Sequence, residues 1–254
     1  MSIQVIPKER QAKGAFNGGE IVENKPIGFP REGGYIRPYS NLFYWAYAEA
    51  KVDSTIGLHP HEGFEIMSFV LKGNIRHYDT KLQEWRPLKA GDAQIIRAGN
   101  GISHAEFIAG GGAIFQIWFD PDLTRTLNQP PSYDDYTSAS LPIRQEGDVA
   151  VKTYIGKGSP ITLDTPGLEI LRFDFDAANY RRAVSPEKIH SLYVIGGDLK
   201  INGEPVKTDD FVVVKESDAL HFEAEGPGQV FMVSSPGTLA YKTYAQLMME
   251  RVKA

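Results

Sequence analysis

The chain has 254 residues, a net charge of −5 and no cysteine. The lack of thiols excludes disulfides, zinc ribbons, iron–sulfur clusters and a cysteine nucleophile, so any metal must be held by histidine and carboxylate. With 32 acidic and 27 basic side chains, the chain has no charge footprint for direct electrostatic binding of nucleic acid, and anionic membrane surfaces are disfavoured. No stretch reaches the roughly 18 apolar residues of a membrane-spanning helix, and the polar first residues lack the apolar core of a signal peptide, so we expect a cytoplasmic protein.

The pattern of residues predicts an all-β protein that ends in a short helix. Runs rich in Val, Ile, Phe and Tyr alternate with turn residues, and the chain holds 25 glycines and 16 prolines. In the first half these runs are residues 64–73, 74–80, 92–99, 103–109 and 113–120. Such spacing is typical of antiparallel sandwiches and barrels. The final LAYKTYAQLMMERVKA has apolar residues at helical spacing and no helix breaker, which predicts the closing helix.

The composition also predicts two domains. Residues 126–146 are rich in Pro, Ser and Asp and have little periodicity, so we interpret them as a linker. They separate an N-terminal domain, residues 1–125, from a C-terminal domain, residues 147–254, which includes the helix. Both halves repeat the order strand, glycine turn, strand, loop, Asp, strand and His-x-Glu, which predicts a duplicated barrel.

Four polar side chains of the first half have the spacing of a metal site. His59 and His61 lie two positions apart, as do His104 and Glu106. Residues i and i+2 of a strand point to the same face. If the two strands face each other across a barrel interior, three imidazoles and a carboxylate converge on one point. This donor set suits a divalent first-row ion such as Fe, Mn, Ni, Cu or Zn, and four ligands leave positions for water, O2 or a substrate.

The second half keeps only part of this set. Its His-x-Glu pair is His221 and Glu223, which the repeat aligns with the first half's His-x-Glu. The positions that correspond to the first histidine pair are Ala183 and Ser185. Because two ligands seldom hold an ion, we predict that the second pair binds no metal.

Several alternatives stay open at this point. Glu65 lies on the same strand face as His61 if the strand runs unbroken, so it is a rival ligand, a partner that orients an imidazole, or a solvated charge. His77 and His190 have no histidine companion two positions away, which favours structural roles. The glycine-rich AGNGISH and AGGGAI lack the context of a phosphate loop, and no GxSxG motif supports a serine nucleophile.

The sequence around the candidate ligands resembles that of the pirin family, a branch of the cupin superfamily. The resemblance lies in HPHEGFEIMSFVLKG, followed by GD and AGNGISHAE, and it is specific over about residues 40–120. It implies a bicupin: two antiparallel β-barrels, each a double-stranded β-helix, with one metal in the N-terminal barrel and a degenerate C-terminal barrel.

Carried over to this chain, the resemblance implies metal ligands at four positions, with Fe(II) as the expected ion. These positions are His59, His61, His104 and Glu106. It implies that Glu65 supports the ligands and does not itself bind the metal. One departure is Glu62, because relatives commonly have a basic residue after the second histidine.

The resemblance implies two possible functions. One is a dioxygenase that opens flavonols such as quercetin with O2, in which Glu106 accepts the proton of the flavonol hydroxyl as general base. The other is a metal-dependent regulator that binds a protein partner without chemistry. A metal-assisted isomerase or hydrolase of a small metabolite is a third hypothesis, because fold does not fix function. An accessible pocket at the metal favours an enzyme. The residues that either line such a cavity or pack in the core are Phe64, Met67, Phe69, Phe115 and Trp118.

Overall fold

Antiparallel strands dominate the computed structural model, which describes residues 1–29 and 31–253, with side chains described as far as Glu250. This confirms the predicted all-β class. The strands are β1 (Ser2–Ile6), β2 (Ala12–Phe16), β3 (Ile21–Ile27), β4 (Leu42–Ala50), β5 (Ser54–His61), β6 (Glu65–Lys72), β7 (Asn74–Asp79), β8 (Arg86–Lys89), β9 (Ala93–Arg97), β10 (Ile102–Ile108), β11 (Ala113–Phe119), β12 (Ser132–Tyr136), β13 (Ile143–Glu146), β14 (Val149–Ile155), β15 (Glu169–Phe175), β16 (Ala178–Ala183), β17 (Lys188–Gly196), β18 (Leu199–Ile201), β19 (Glu204–Val206), β20 (Phe211–Lys215), β21 (Ala219–Ala224) and β22 (Gly228–Pro236). The α-helices are α1 (Leu123–Thr126) and α2 (Tyr244–Lys253), and α2 is the predicted closing helix.

The chain folds into two units that each combine separate stretches of sequence. The N unit comprises residues 11–138, 163–166 and 239–254, and the C unit comprises residues 1–10, 139–162 and 167–238. β1 groups with the C unit because it pairs with β20. The domains predicted from the sequence, residues 1–125 and 147–254, divide the chain differently from these two units, and their bounds stay a prediction.

The two units share one sheet topology. In the N unit the strand order is β12-β9-β6-β11-β4-β3-β2 in a large sheet and β5-β10-β7-β8 in a small sheet. In the C unit the corresponding orders are β1-β20-β17-β22-β15-β14-β13 and β16-β21-β18-β19. In each unit apolar residues of both sheets form a common core. The repeated order supports the duplication inferred from the sequence.

Two glycines hold equivalent turns in the two units. Gly73 follows β6 with φ of +71°, and Gly197 follows β17 with φ of +86°, a backbone region that L-residues with a side chain rarely adopt. A Cβ at Gly73 would lie 2.9 Å from Gly112 Cα, and one at Gly197 would lie 2.6 Å from the carbonyl oxygen of Pro227. The turns therefore require glycine. Gly73 and Gly197 serve as equivalent reference positions from which residues of the two units can be aligned. Within the described residues, neither α1 nor α2 has the length and apolarity needed to cross a bilayer.

Helix α2 is fixed to the N unit by Asp120, which follows β11. The Asp120 carboxylate accepts a hydrogen bond from the backbone N–H of Tyr244 at 2.6 Å, at the N-terminal end of the helix, and its backbone carbonyl accepts one from the Tyr241 hydroxyl at 2.6 Å. Asp120 is 2% exposed, and its Oδ1 has no hydrogen-bond partner among the described residues. Burial raises the pKa of Asp120 to about 7, and the Tyr244 N–H only partly offsets this effect.

We predict that Asp120→Asn stabilises the protein at pH 8 but not at pH 4. The folded-state pKa lies above the ordinary value of 3.8, so the contribution of the protonated carboxyl to stability is present below that value and is lost as the pH rises through about 7. Asparagine keeps an acceptor for the Tyr244 N–H without the charge. One pKa unit corresponds to ~1.4 kcal/mol, so the gain has an upper bound of ~4 kcal/mol. Urea denaturation of both proteins at the two pH values checks this, and a gain that does not depend on pH would contradict it.

Candidate metal centre

The three clustered histidines lie on two neighbouring strands of the small sheet of the N unit. β5 carries His59 and His61, and its antiparallel partner β10 carries His104 in register with His59. The expectation that these strands face each other across an interior was wrong, because they are hydrogen-bonded neighbours. Cross-strand register, together with the i and i+2 spacing, brings the imidazoles to one face of one sheet.

The imidazoles of this histidine cluster, His59, His61 and His104, converge at close range. One ring nitrogen of each lies within 4.8 Å of the others. The Nε2 atoms of His61 and His104 are 2.9 Å apart. His59 Nδ1 lies 2.8 Å from the carbonyl oxygen of Gly57, so it donates to that oxygen and leaves Nε2 as the acceptor. Three convergent imidazoles that present acceptor nitrogens fit a divalent metal ion.

Burial keeps two of these histidines in the neutral form that ligates metals. The pKa of His61 is lowered to about 3, mainly by burial and also by the neighbouring imidazoles of His104 and His59, while the charge of Glu106 acts in the opposite direction. Burial is also the main cause that lowers the pKa of His104 well below its ordinary value. The cluster therefore offers unprotonated nitrogens at neutral pH, as metal binding requires.

Glu106, the fourth predicted ligand, is fully buried on β10, two residues after His104. Its Oε1 accepts a hydrogen bond from the Ser68 hydroxyl at 3.0 Å, and its Oε2 accepts one from the Gln116 amide at 2.5 Å. A carboxylate has about four acceptor positions, so these two bonds leave capacity for a metal or a proton. The three-histidine group does not itself include Glu106. Its role as a ligand therefore stays a prediction.

The partners of Glu106 form a polar row that the sequence analysis missed. Gln94, Ser68 and Gln116 are in register on three adjacent strands of the large sheet, β9, β6 and β11. The Gln94 amide also donates to the Ser68 hydroxyl at 3.1 Å. The available signal for two members of the row was a single polar residue within an apolar run, as in IMSFVL and AIFQIWF.

His77 lies beside the cluster in a buried pair of its own. Its Nε2 is 2.9 Å from a carboxylate oxygen of Asp79, and both side chains are fully buried. The Asp79 carboxylate also accepts from the backbone N–H groups of Lys81 and Leu82. The ring of His77 stacks on Tyr133 with centroids 4.3 Å apart. These contacts agree with the structural role predicted for His77. His190 is likewise hydrogen-bonded, to the hydroxyl of Ser234 and the carbonyl of Ser185.

Glu65 has a different role from the candidate ligands. The strand does not run unbroken from His61 to Glu65, since β5 ends at His61 and β6 begins in the other sheet after Gly63, which has φ of +78°. Both Glu65 carboxylate oxygens are occupied by residues 164 and 165: Oε1 accepts from the Asp164 N–H at 2.7 Å, and Oε2 accepts from the N–H and hydroxyl of Thr165 at 2.8 and 2.5 Å. Glu65 therefore fixes the 163–166 segment within the N unit.

The C unit replaces the polar positions with apolar residues. Counted from Gly73 and Gly197, Ser68 of the N unit corresponds to Leu192 of the C unit. Ser68 is in register with two glutamines, whereas Leu192 is in register with Val212 and Met232. On β21 the residues that belong to the C-unit core are Leu220, Phe222 and Ala224. Leu192, Val212 and Met232 belong to the same core.

This register corrects the alignment made from the sequence. His221 and Glu223 are exposed on the outer face of β21, so the alignment with His104 and Glu106 is shifted by one residue. β21 pairs with β18 in the C unit as β10 pairs with β7 in the N unit. In these pairings Leu220 and Phe222 take the positions of His104 and Glu106. A one-residue shift moves every side chain to the other face of a strand.

An apolar cleft, which we call the aromatic cleft, adjoins the histidine cluster within the N unit. Trp118 connects the two, because its ring meets that of His61 edge to face with centroids 4.7 Å apart. The cleft measures about 710 Å³. Its described lining residues are Phe29, Arg31, Arg37, Pro38, Phe43, Phe64, Trp118, Tyr244, Ala245, Met248 and Met249. Of the five residues considered from sequence, Phe64 and Trp118 line this cleft, whereas Met67, Phe69 and Phe115 are fully buried core residues. A second, open cavity of about 430 Å³ reaches His61 itself.

Known proteins share this sequence pattern and fold. A family model described as Pirin matches residues 36–119. Pirin-1 of Arabidopsis thaliana is 30% identical over 189 residues, which are 71% of this chain and 61% of that protein, so the chain spans less than two thirds of this relative. A quercetin 2,3-dioxygenase of Escherichia coli strain K12 is 24% identical over 185 residues, which are 71% of this chain and 76% of that protein. The crystal structure of the bacterial pirin YhhW from Escherichia coli, in complex with nickel(II), aligns with a TM-score of 0.75 and 21% identity over 93% of this chain and 100% of that one.

The paired antiparallel sheets and the histidine cluster on the small sheet define a protein of the cupin type with a candidate metal centre. The matched residues 36–119 include both strands that carry the histidines. Over these residues the chain is similar to pirins.

We predict that the chain binds about one metal ion per monomer and that His61→Ala loses it. Changing even an outer partner of a metal ligand costs roughly 10- to 100-fold in affinity, and removing a ligand should cost more. His221→Ala is the matched control, because His221 is exposed on the C unit. Elemental analysis of protein purified without a histidine tag gives the metal content. Full metal content in His61→Ala, or loss of metal in His221→Ala, would refute the assignment.

We predict that Glu65→Gln lowers stability and leaves the metal content unchanged. Glutamine keeps one acceptor oxygen but presents a donor amide to backbone N–H groups, so at least one buried N–H is left without a partner. Such a loss costs about 1–3 kcal/mol. Urea denaturation and elemental analysis of the same samples separate the two effects. Loss of metal at unchanged stability would identify Glu65 as a ligand after all.

Proposed function

We propose that the protein is a metal-dependent dioxygenase that cleaves a flavonol such as quercetin with O2. The convergence of three imidazoles beside a buried carboxylate and an accessible aromatic cleft carries the proposal. The name of the Escherichia coli relative, quercetin 2,3-dioxygenase, supports the choice of substrate. An accessible cleft favours an enzyme over a regulator with a sealed metal. Iron(II) as the native metal, a protein partner and a cytoplasmic location stay predictions.

In this proposal each residue has a defined task. His59, His61 and His104 hold the ion through ring nitrogens, with Glu106 as the fourth ligand. A bound divalent metal supplies Lewis acidity and a template for O2. The aromatic cleft takes up the planar rings of the flavonol beside the cluster and excludes water from them.

Glu106 also acts as the general base in this proposal. Its carboxylate accepts the proton of the flavonol hydroxyl that is to be ionised. The hydrogen bonds from the Ser68 hydroxyl and the Gln116 amide fix the orientation of the carboxylate. The Gln116 amide oxygen in turn accepts a hydrogen bond from the Trp118 indole at 3.3 Å. The base is therefore connected to the wall of the cleft through a single side chain.

We predict that metal-loaded wild type consumes O2 and releases carbon monoxide with quercetin or a close flavonol, and that Glu106→Gln does so far more slowly. Loss of a general base costs about 10²- to 10⁴-fold in rate. Rates are expressed per bound metal ion, because Glu106 is also a predicted ligand. Oxygen uptake and carbon monoxide are measured, since chelation alone changes flavonol absorbance.

The matched control is Glu223→Gln, which changes the exposed His-x-Glu glutamate of the C unit, where it pairs with Lys200. This variant should retain the wild-type rate. If metal-loaded wild type consumes no more oxygen than free metal ion across several flavonols, the dioxygenase proposal is to be dropped.

A further inference from the structure

The charges at the aromatic cleft are all of one sign. The charged residues among its described lining are Arg31 and Arg37, and both are exposed. The chain as a whole has a net charge of −5, so two cations and no anion in one lining are a local departure from its average. A low-dielectric apolar wall strengthens the field of nearby charges. The cleft is therefore suited to attract anions.

The walls of the cleft are suited to flat rings. Phe43 and Trp118 are stacked at 22° with centroids 6.4 Å apart, and Phe43 lies 4.5 Å from Phe64. Phe29 meets Trp118 edge to face at 5.3 Å. Such rings offer both faces and edges for offset-stacked or T-shaped contact with an aromatic ligand. A cleft of about 710 Å³ lies within the range of sites for drug-sized molecules.

The segment that carries the two arginines is held at its base by a buried ion-pair network. Lys25, which is 4% exposed, donates to the Glu32 carboxylate at 2.5 Å and lies 3.1 Å from that of Glu23. The other oxygen of Glu32 accepts from the backbone N–H of Phe29 at 2.8 Å. A bridge between Ile27 and Ile36 closes the segment. The chain around the arginines is thus positioned before any ligand arrives, which lowers the entropic cost of binding.

We propose that the aromatic cleft binds planar aromatic molecules that carry an anionic substituent such as a carboxylate. The rings lie against Phe43, Phe64 and Trp118, and the anionic group lies on Arg31 and Arg37, whose planar guanidinium groups match a carboxylate in two-pronged geometry. The inference rests on the proposed function for its aromatic ligand, and it adds that an anionic substituent strengthens the binding of such a ligand in this cleft.

Calorimetric titration of the full-length, metal-loaded protein with 2-naphthoate and with the neutral 2-naphthamide tests the proposal. Hydrogen bonds to charged groups are worth enough to expect about 10-fold tighter binding of the naphthoate. The double variant Arg31→Ala with Arg37→Ala should abolish this preference and leave naphthamide affinity within about twofold of wild type. Arg181→Ala, which changes an exposed arginine of the C unit, is the matched control and should retain the preference.

Equal binding of the two probes by wild type, or binding of neither, overturns the proposal. So does a preference for naphthoate that survives in the double variant, because the metal ion would then be the anion's partner. None of these results depends on oxygen chemistry. Absence of oxygen uptake with flavonols would remove the dioxygenase proposal without touching the titrations, so the two failures are distinguishable.

Discussion

The buried carboxylate of Glu106 is the constraint on which the N unit's interior depends. An ionised carboxylate removed from water is tolerated only where hydrogen bonds or a cation compensate for the lost hydration. The large sheet supplies the hydrogen bonds through the row of Gln94, Ser68 and Gln116, and the small sheet places the histidines beside it. A half-satisfied buried network is worse than an apolar core. The polar residues of the large sheet therefore form one hydrogen-bonded network with Glu106 of the small sheet.

The C unit has the same topology but lacks these polar residues. Its strands have the same order, but the row on its large sheet is Val212, Leu192 and Met232, and the positions of the buried His-x-Glu pair are Leu220 and Phe222. All five are buried in a single apolar cluster. Apolar side chains of this size fill the interior without any need for hydrogen bonds. One unit thus retains a polar interior that chemistry can use, and the other uses its interior only for stability.

Much of the fold could be predicted from the sequence because an apolar run is a local signal for a strand. The runs at 64–73, 74–80, 92–99, 103–109 and 113–120 correspond to β6, β7, β9, β10 and β11. The histidines of the cluster were identifiable because i and i+2 spacing is a local signal. What failed was the long-range part. That β5 and β10 are neighbours and that the His-x-Glu motif of β21 points outward depend on strand register, which no local pattern specifies. The short polar strands β12, β13 and β16 gave no apolar signal.

The interleaving of the two units has a consequence for how the chain acquires its structure. The N unit is complete only when residues 163–166 and 239–254 have joined residues 11–138, and β1 pairs with β20, about 200 residues further along the chain. Contacts between distant parts of the sequence slow folding, because loop closure must precede them. During synthesis on a ribosome the aromatic cleft therefore lacks its wall from α2 until the residues of that helix have emerged. Neither half of the chain can finish folding before the other has been made.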